Sequence, residues 1–243
     1  MQSVAAPKTL VDAIFPPIMA GDRTRAIARD VVLMLGFAGF VALSAQISIR
    51  LPWTTVPITG QTFAVLVAGG ALGAWRGMGC LSLYMLMGMV SIPVFAPGGA
   101  VTQGAWDVHF ILPWSGTGGF IWDLTSGGYI LGFIAAAGLV GSLAERGWDR
   151  KPWVHPGMFM ANAVIYIPGL LWLAYLIGSE WIYPGVDKPL ADLIPGDGGT
   201  WDKTLIAGLY PFVVGDLMKL FLASLTLPVA WKLVERGKFS RDG

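Results

Sequence analysis

Val31-Val32-Leu33-Met34-Leu35-Gly36-Phe37-Ala38-Gly39-Phe40-Val41-Ala42-Leu43 holds no charged and no amide side chain. With its flanks it forms a largely apolar run over Ala26–Ile49. A bilayer core is crossed by about 20 mostly apolar residues in a helix, so the run predicts a membrane span. Five more runs of this kind follow: Gln61–Trp75, Met78–Phe95, Gly127–Leu143, Met158–Ile177 and Leu205–Leu233. The expected fold is an all-α membrane protein, a bundle of six transmembrane helices. The second and third runs are short and separated by Arg76 and Gly77, which reads as a tight helical hairpin.

Composition agrees. Charged residues make up 13% of the 243 residues, against about 25% in soluble domains, and mean hydropathy is +0.64. A net charge of +1 gives no reason to expect nucleic acid. The single cysteine, Cys80, excludes an internal disulfide and any CxxC motif, and His109 and His155 are too far apart in sequence to suggest a metal site. Residues 1–25 read as a cytoplasmic N-terminal segment, 26–234 as the membrane domain and 235–243 as a cytoplasmic tail. The apolar stretch near the N-terminus is broken by Pro16 and Pro17, so no signal peptide is expected; an interfacial helix near residues 9–19 is the plain alternative.

Lys and Arg set the orientation of a multi-span chain. Arg23, Arg25, Arg29, Arg76, Arg146, Arg150, Lys151, Lys232 and Arg236 fall on the side of both termini, whereas the opposite loops hold Arg50, Lys188 and Lys203. Both termini are therefore expected in the cytoplasm. Two long outer loops, 96–126 and 178–204, carry Trp106, Phe110, Trp114, Phe120, Trp122, Trp181 and Trp201. These read either as an aromatic belt or as a lid over an outward-facing pocket.

Close helix packing in lipid needs small residues. Gly69, Gly73 and Gly77, and again Gly128, Gly132 and Ala136, form stripes that predict packing inside the bundle. Ala38 and Ala42 form a similar pair on the first span, read here as a surface where a second chain docks.

One feature is costly. Asp216 and Lys219 lie inside the last apolar run, where each is disfavoured by about 2.5–3.5 kcal/mol at a helix centre. Such residues face the bundle interior and mark functional sites. Their spacing puts them on one helix face. Counted from Leu205, Asp216 stands roughly 16–18 Å deep. A buried structural ion pair is the competing reading. The chain has no GxxxxGK[ST], HExxH or GxSxG motif, so binding is favoured over catalysis.

Several stretches together resemble the BioY family, the biotin-specific substrate-binding subunits of energy-coupling factor transporters. They are Ala45-Gln46-Ile47-Ser48-Ile49, Val56-Pro57-Ile58-Thr59-Gly60-Gln61-Thr62-Phe63, Leu83-Tyr84-Met85-Leu86-Met87-Gly88, Ile92-Pro93-Val94-Phe95, Ser126-Gly127-Gly128-Tyr129-Ile130-Leu131-Gly132-Phe133, Gly169-Leu170-Leu171-Trp172-Leu173-Ala174 and Pro211-Phe212-Val213-Val214-Gly215-Asp216-Leu217-Met218-Lys219. The resemblance covers about Ala26 to Leu233. The stretch Ala96–Leu124 is longer and richer in Trp than the family pattern, and Thr125-Ser126 stands where Pro-Thr is usual.

The resemblance implies a six-helix bundle that takes up biotin, with a transmembrane coupling protein and two ATPases as partners and Ala38 and Ala42 on the docking face. It implies no cofactor and no enzymatic activity. Asp216, an acceptor when ionised, suits the ureido N–H groups of biotin, and Lys219 suits the ureido oxygen or the tail carboxylate. Phe95, Tyr129 and Trp172 would form apolar walls. Gln61 and Thr62 open a helix whose N-terminus suits an anion, and Gly98 and Gly99 would allow the backbone close to the ligand. A subunit of this type for another vitamin and an intramembrane enzyme using Asp216 remain the alternatives.

Overall fold

The computed structural model describes residues 7–18, 22–97, 106–151, 154–184 and 186–239. Its helices are α1 (Leu10–Ile14), α2 (Arg23–Ala45), α3 (Gln61–Leu72), α4 (Ala74–Met89), α5 (Gly127–Ala144), α6 (Val154–Gly178), α7 (Thr200–Gly208) and α8 (Val213–Phe239). Among the described residues, four stretches are long and apolar enough to cross a membrane: α2, α5, α6 and Val213–Arg236 of α8. This is a multi-pass membrane protein. The shorter α3 and α4 complete the bundle.

α3 is apolar on nearly every side, and all its residues except Phe63 are buried, as expected for a helix enclosed by others. It packs against α2, α4, α5 and α8. α2 instead turns Val32, Leu35 and Leu43 outward, the surface lipid would cover. The glycine stripes lie inside the bundle. A Cβ on Gly69 would stand 2.7 Å from the Ala137 carbonyl oxygen, and one on Gly132 2.6 Å from that of Ile165; only glycine lets these backbones approach so closely.

Four expectations are corrected. The α3–α4 turn falls at Gly73, which holds φ +86°, a value that favours glycine; Arg76 lies in the first turn of α4. The chain is not purely helical. β1 (Ser48–Arg50) pairs antiparallel with both β2 (Ile58–Thr59) and β3 (Asp107–His109), and β4 (Ile182–Tyr183) pairs with β5 (Lys188–Pro189). Strands of two or three residues are too short to leave a period in the sequence.

The last apolar run is broken between α7 and α8. Pro211 has no N–H to continue a helix, and the carbonyls freed at the end of α7 are met by side chains: Thr54 Oγ1 donates to the Ala207 oxygen at 2.5 Å and Tyr129 OH to the Gly208 oxygen at 2.8 Å. Finally, Ala38 and Ala42 are 0% and 4% exposed. They face the chain's own helices: α2 turns this alanine pair toward its neighbours α3 and α4, so that the three can close up.

At one end of the bundle α1 is tucked under the helices, with Leu10, Val11 and Ala13 in the core. Asp12 and Asp30 bind Arg29 and Arg76 there. Arg150 donates to the Pro7 carbonyl, and the Ala74 N–H donates to Glu145. The N-terminal segment, the α3–α4 turn and the α5–α6 turn thus share an end. The strands lie in the segments that join the other ends of the helices.

Candidate ligand-binding site

The break before α8 changes the position of Asp216. It is a first-turn residue, its N–H bonded to the Phe212 carbonyl at 2.7 Å, and not a residue a dozen positions into a continuous helix. A carboxylate there is favoured by the helix dipole, which offsets part of its burial.

Three groups converge on it. Lys219 Nζ lies 2.5 Å from Asp216 Oδ1. Thr62 Oγ1 donates to the same oxygen at 3.3 Å, and Tyr166 OH donates to Oδ2 at 2.5 Å. Lys219 also donates to the Thr59 carbonyl at 2.9 Å. The start of α3, the middle of α6 and the first turns of α8 are thereby tied at one point.

That point is part of the wall of a cavity. Gln61, Thr62, Tyr84, Phe95, Tyr129, Tyr166, Asp216 and Lys219 line it. The walls are aromatic: Tyr129 stands edge-on to Tyr166 at 6.0 Å and Tyr84 edge-on to Phe95 at 5.5 Å. A second cavity shares Pro57, Phe95, Ala96 and Ser126 with the first and is lined also by Arg50, Thr55, Thr117, Asp123 and Tyr183. It forms a vestibule. Arg50 reaches Asp107 at 3.3 Å, and its buried Nε has no partner among the described residues.

Asp216, Lys219, Gln61, Thr62, Phe95 and Tyr129 therefore come together around one cavity. The Gln61 amide is already committed: it donates to Tyr84 OH at 2.8 Å and accepts from Thr59 at 2.9 Å. Trp172 does not line the cavity. Its indole donates to the Leu124 carbonyl at 2.9 Å, so it braces the start of α5 from behind. Gly98 and Gly99 lie outside the described residues. The sequence alone does not single out Tyr84, Tyr166 or Arg50 as site residues. A tyrosine inside an apolar helix is the available signal for the first two; Arg50 read only as a loop charge.

The model of the BioY family matches residues 19–236. The chain belongs to the BioY family. A BioY protein of Lysinibacillus sphaericus, named a probable biotin transporter, is 32% identical over 84% of this chain and 87% of its own length. The biotin transporter BioY of Rhodobacter capsulatus is 29% identical over 81% of this chain and 90% of its own length. The crystal structure of an S-component for biotin from an ECF-type ABC transporter covers 86% of this chain and 94% of its own, with a TM-score of 0.61 at 17% identity. It shares the fold. The BioY match runs from the start of α2 through the cavity-lining turns of α8.

Proposed function

We propose that this chain binds biotin and serves its uptake as the substrate-specific subunit of an ECF-type transporter. One observation carries the reading: in a BioY-family chain, Asp216 and Lys219 face an aromatic cavity with bonding capacity left over. An ionised carboxylate offers about four acceptor positions and an ammonium three donors. Asp216 accepts three bonds, and Lys219 makes two.

The pair carries no net charge, so a neutral ureido ring suits this end better than a carboxylate. The tail carboxylate then points to the vestibule, toward Arg50. Among the described residues the cavity lining contains no second carboxylate to share a proton with Asp216, so an acid–base enzyme lacks its partner group there.

The basic residues gathered at the opposite end support six spans, cytoplasmic termini, residence in the cell membrane and a cavity opening outside. A cysteine at Asp197, exposed near α7, should react with an impermeant thiol reagent on intact cells, and one at Arg25 should not; the reverse would overturn the orientation.

With no P-loop of its own, the chain would draw energy from two partner ATPases through a coupling protein. Since Ala38 and Ala42 are enclosed, the docking strip moves to the outer side of α2, where Gly36 and Gly39 face open space. The direct test is binding of labelled biotin to the purified protein. Unlabelled biotin should displace it, thiamine and riboflavin should not; displacement by either vitamin would assign another substrate.

A further inference from the structure

The strand Asp107–His109 and its neighbours are built inside out. Trp106, Val108 and Phe110 are 64%, 53% and 66% exposed, while the polar Asp107 and His109 between them are less so. Asp107 reaches Arg50, and His109 lies 3.0 Å from Ser115 Oγ. A strand facing water on one side alternates the other way, polar side chains outward.

The partner strand continues the pattern: Ile49, cross-strand from Val108, is exposed while Ser48 is buried. Ile49 continues from Leu43 and Ile47, exposed at the end of α2. On its other side the segment is pinned by Trp114 Nε1 donating to the Pro93 carbonyl at 2.8 Å, just past the end of α4, where Val90 and Ile92 are also exposed. The apolar strip thus extends the lipid-facing surfaces of α2 and α4, and between Trp106 and Trp114 the sequence holds no Lys or Arg.

We propose that this strip is seated in the bilayer leaflet on the cavity side, with Trp106, Val108 and Phe110 reaching about 5–10 Å into the headgroup–acyl boundary, the depth at which the apolar face of an interfacial helix lies. Its occupant is lipid, because the exposed face is apolar, carries tryptophan and has no charge to pair with a partner. The same segment reaches the cavity mouth: Thr117 pairs with Phe95 and lines the vestibule. The mouth is thereby tethered to the membrane.

Single cysteines at residues 107, 108, 109 and 110, labelled with an environment-sensitive fluorophore, test this in nanodiscs; the native Cys80 is buried. Lipids carrying a shallow spin label should quench the probes at 108 and 110 severalfold more than those at 107 and 109, and aqueous iodide should show the opposite order. Absence of alternation, or iodide reaching 108 and 110 as freely as 107 and 109, overturns the proposal. Folding is judged by monodisperse elution, independent of biotin binding. Ile49→Cys on the partner strand repeats the measurement should a β3 variant not fold, and its probe must be lipid-quenched as well.

Discussion

Two ionic clusters of similar chemistry occupy opposite ends of the bundle, and they are built differently. At the α1 end, Arg76 spends its whole guanidinium: Nε on the Leu72 carbonyl, Nη1 on Asp12 and Asp30, Nη2 on Asp12 and Thr9. Arg29 ties the same two aspartates again. The described cavities do not include this knot in their linings. At the other end Asp216 and Lys219 keep spare bonding positions and line a cavity. Saturation marks a structural device, and spare capacity beside empty space marks a binding one. The first should govern stability and the second affinity.

The largest effect follows from cutting the saturated cluster. Arg76→Met leaves two half-buried carboxylates with Arg29 as their remaining cationic partner among the described residues; breaking a fully buried pair costs about 3–5 kcal/mol, which is the upper bound here. The melting temperature should fall sharply while the fraction still folded binds biotin as before. Weakened affinity at unchanged stability would erase the distinction between the two ends.

Next come Asp216→Asn and Lys219→Met. Each leaves a ligand group unpaired in a poorly hydrated pocket, a loss of about 1–3 kcal/mol, more for charged groups, so biotin affinity should drop by about tenfold or more. The double variant tests the structural-pair reading. If the pair only holds helices together, the double variant recovers stability and both folded single variants keep normal affinity. Normal affinity in either single variant removes that residue from the site. Tyr166→Phe is milder: it deletes one donor to Asp216, about 1 kcal/mol or roughly fivefold in affinity. Tyr129→Phe should act mainly on stability, because its hydroxyl serves the Gly208 carbonyl.

The positions of the long apolar helices could be read because lipid requires long runs, and the importance of Asp216 and Lys219 because charge inside such a run is conspicuous. Other features were hidden for physical reasons. The break at Pro211 lies within an unbroken apolar stretch, so hydropathy gives no sign that Asp216 sits in a first turn. Whether Ala38 and Ala42 face inward or outward depends on helix rotation, which small residues leave open. Trp172 and Tyr166 are both aromatic and share α6, and only the packing of α6 on α5 decides which one reaches the cavity. Arg50 acquires its place from a strand pairing with residues far along the chain, which local sequence does not encode.

The smallest effect concerns pH and again separates the two ends. Burial raises the Asp12 carboxyl, but hydrogen bonds from Arg76, Thr9 and Arg29 more than offset this and hold it well below the usual carboxylate range. The folded state therefore favours the ionised form more than the unfolded chain does, whose value is about 3.9. The contribution of Asp12 is then complete well above that value and disappears as pH falls from there through the folded value. By linkage the loss begins as pH approaches the unfolded value and steepens below it. Asp12→Asn lacks this titration, so the gap in melting temperature between wild type and variant should narrow as pH drops below about 5. Biotin affinity, compared at each pH between the two proteins, should stay matched because Asp12 lies at the far end of the bundle from the cavity. A gap in melting temperature independent of pH would show that Asp12 is not held ionised by its arginines, and affinities that part in acid would show that the two clusters are coupled.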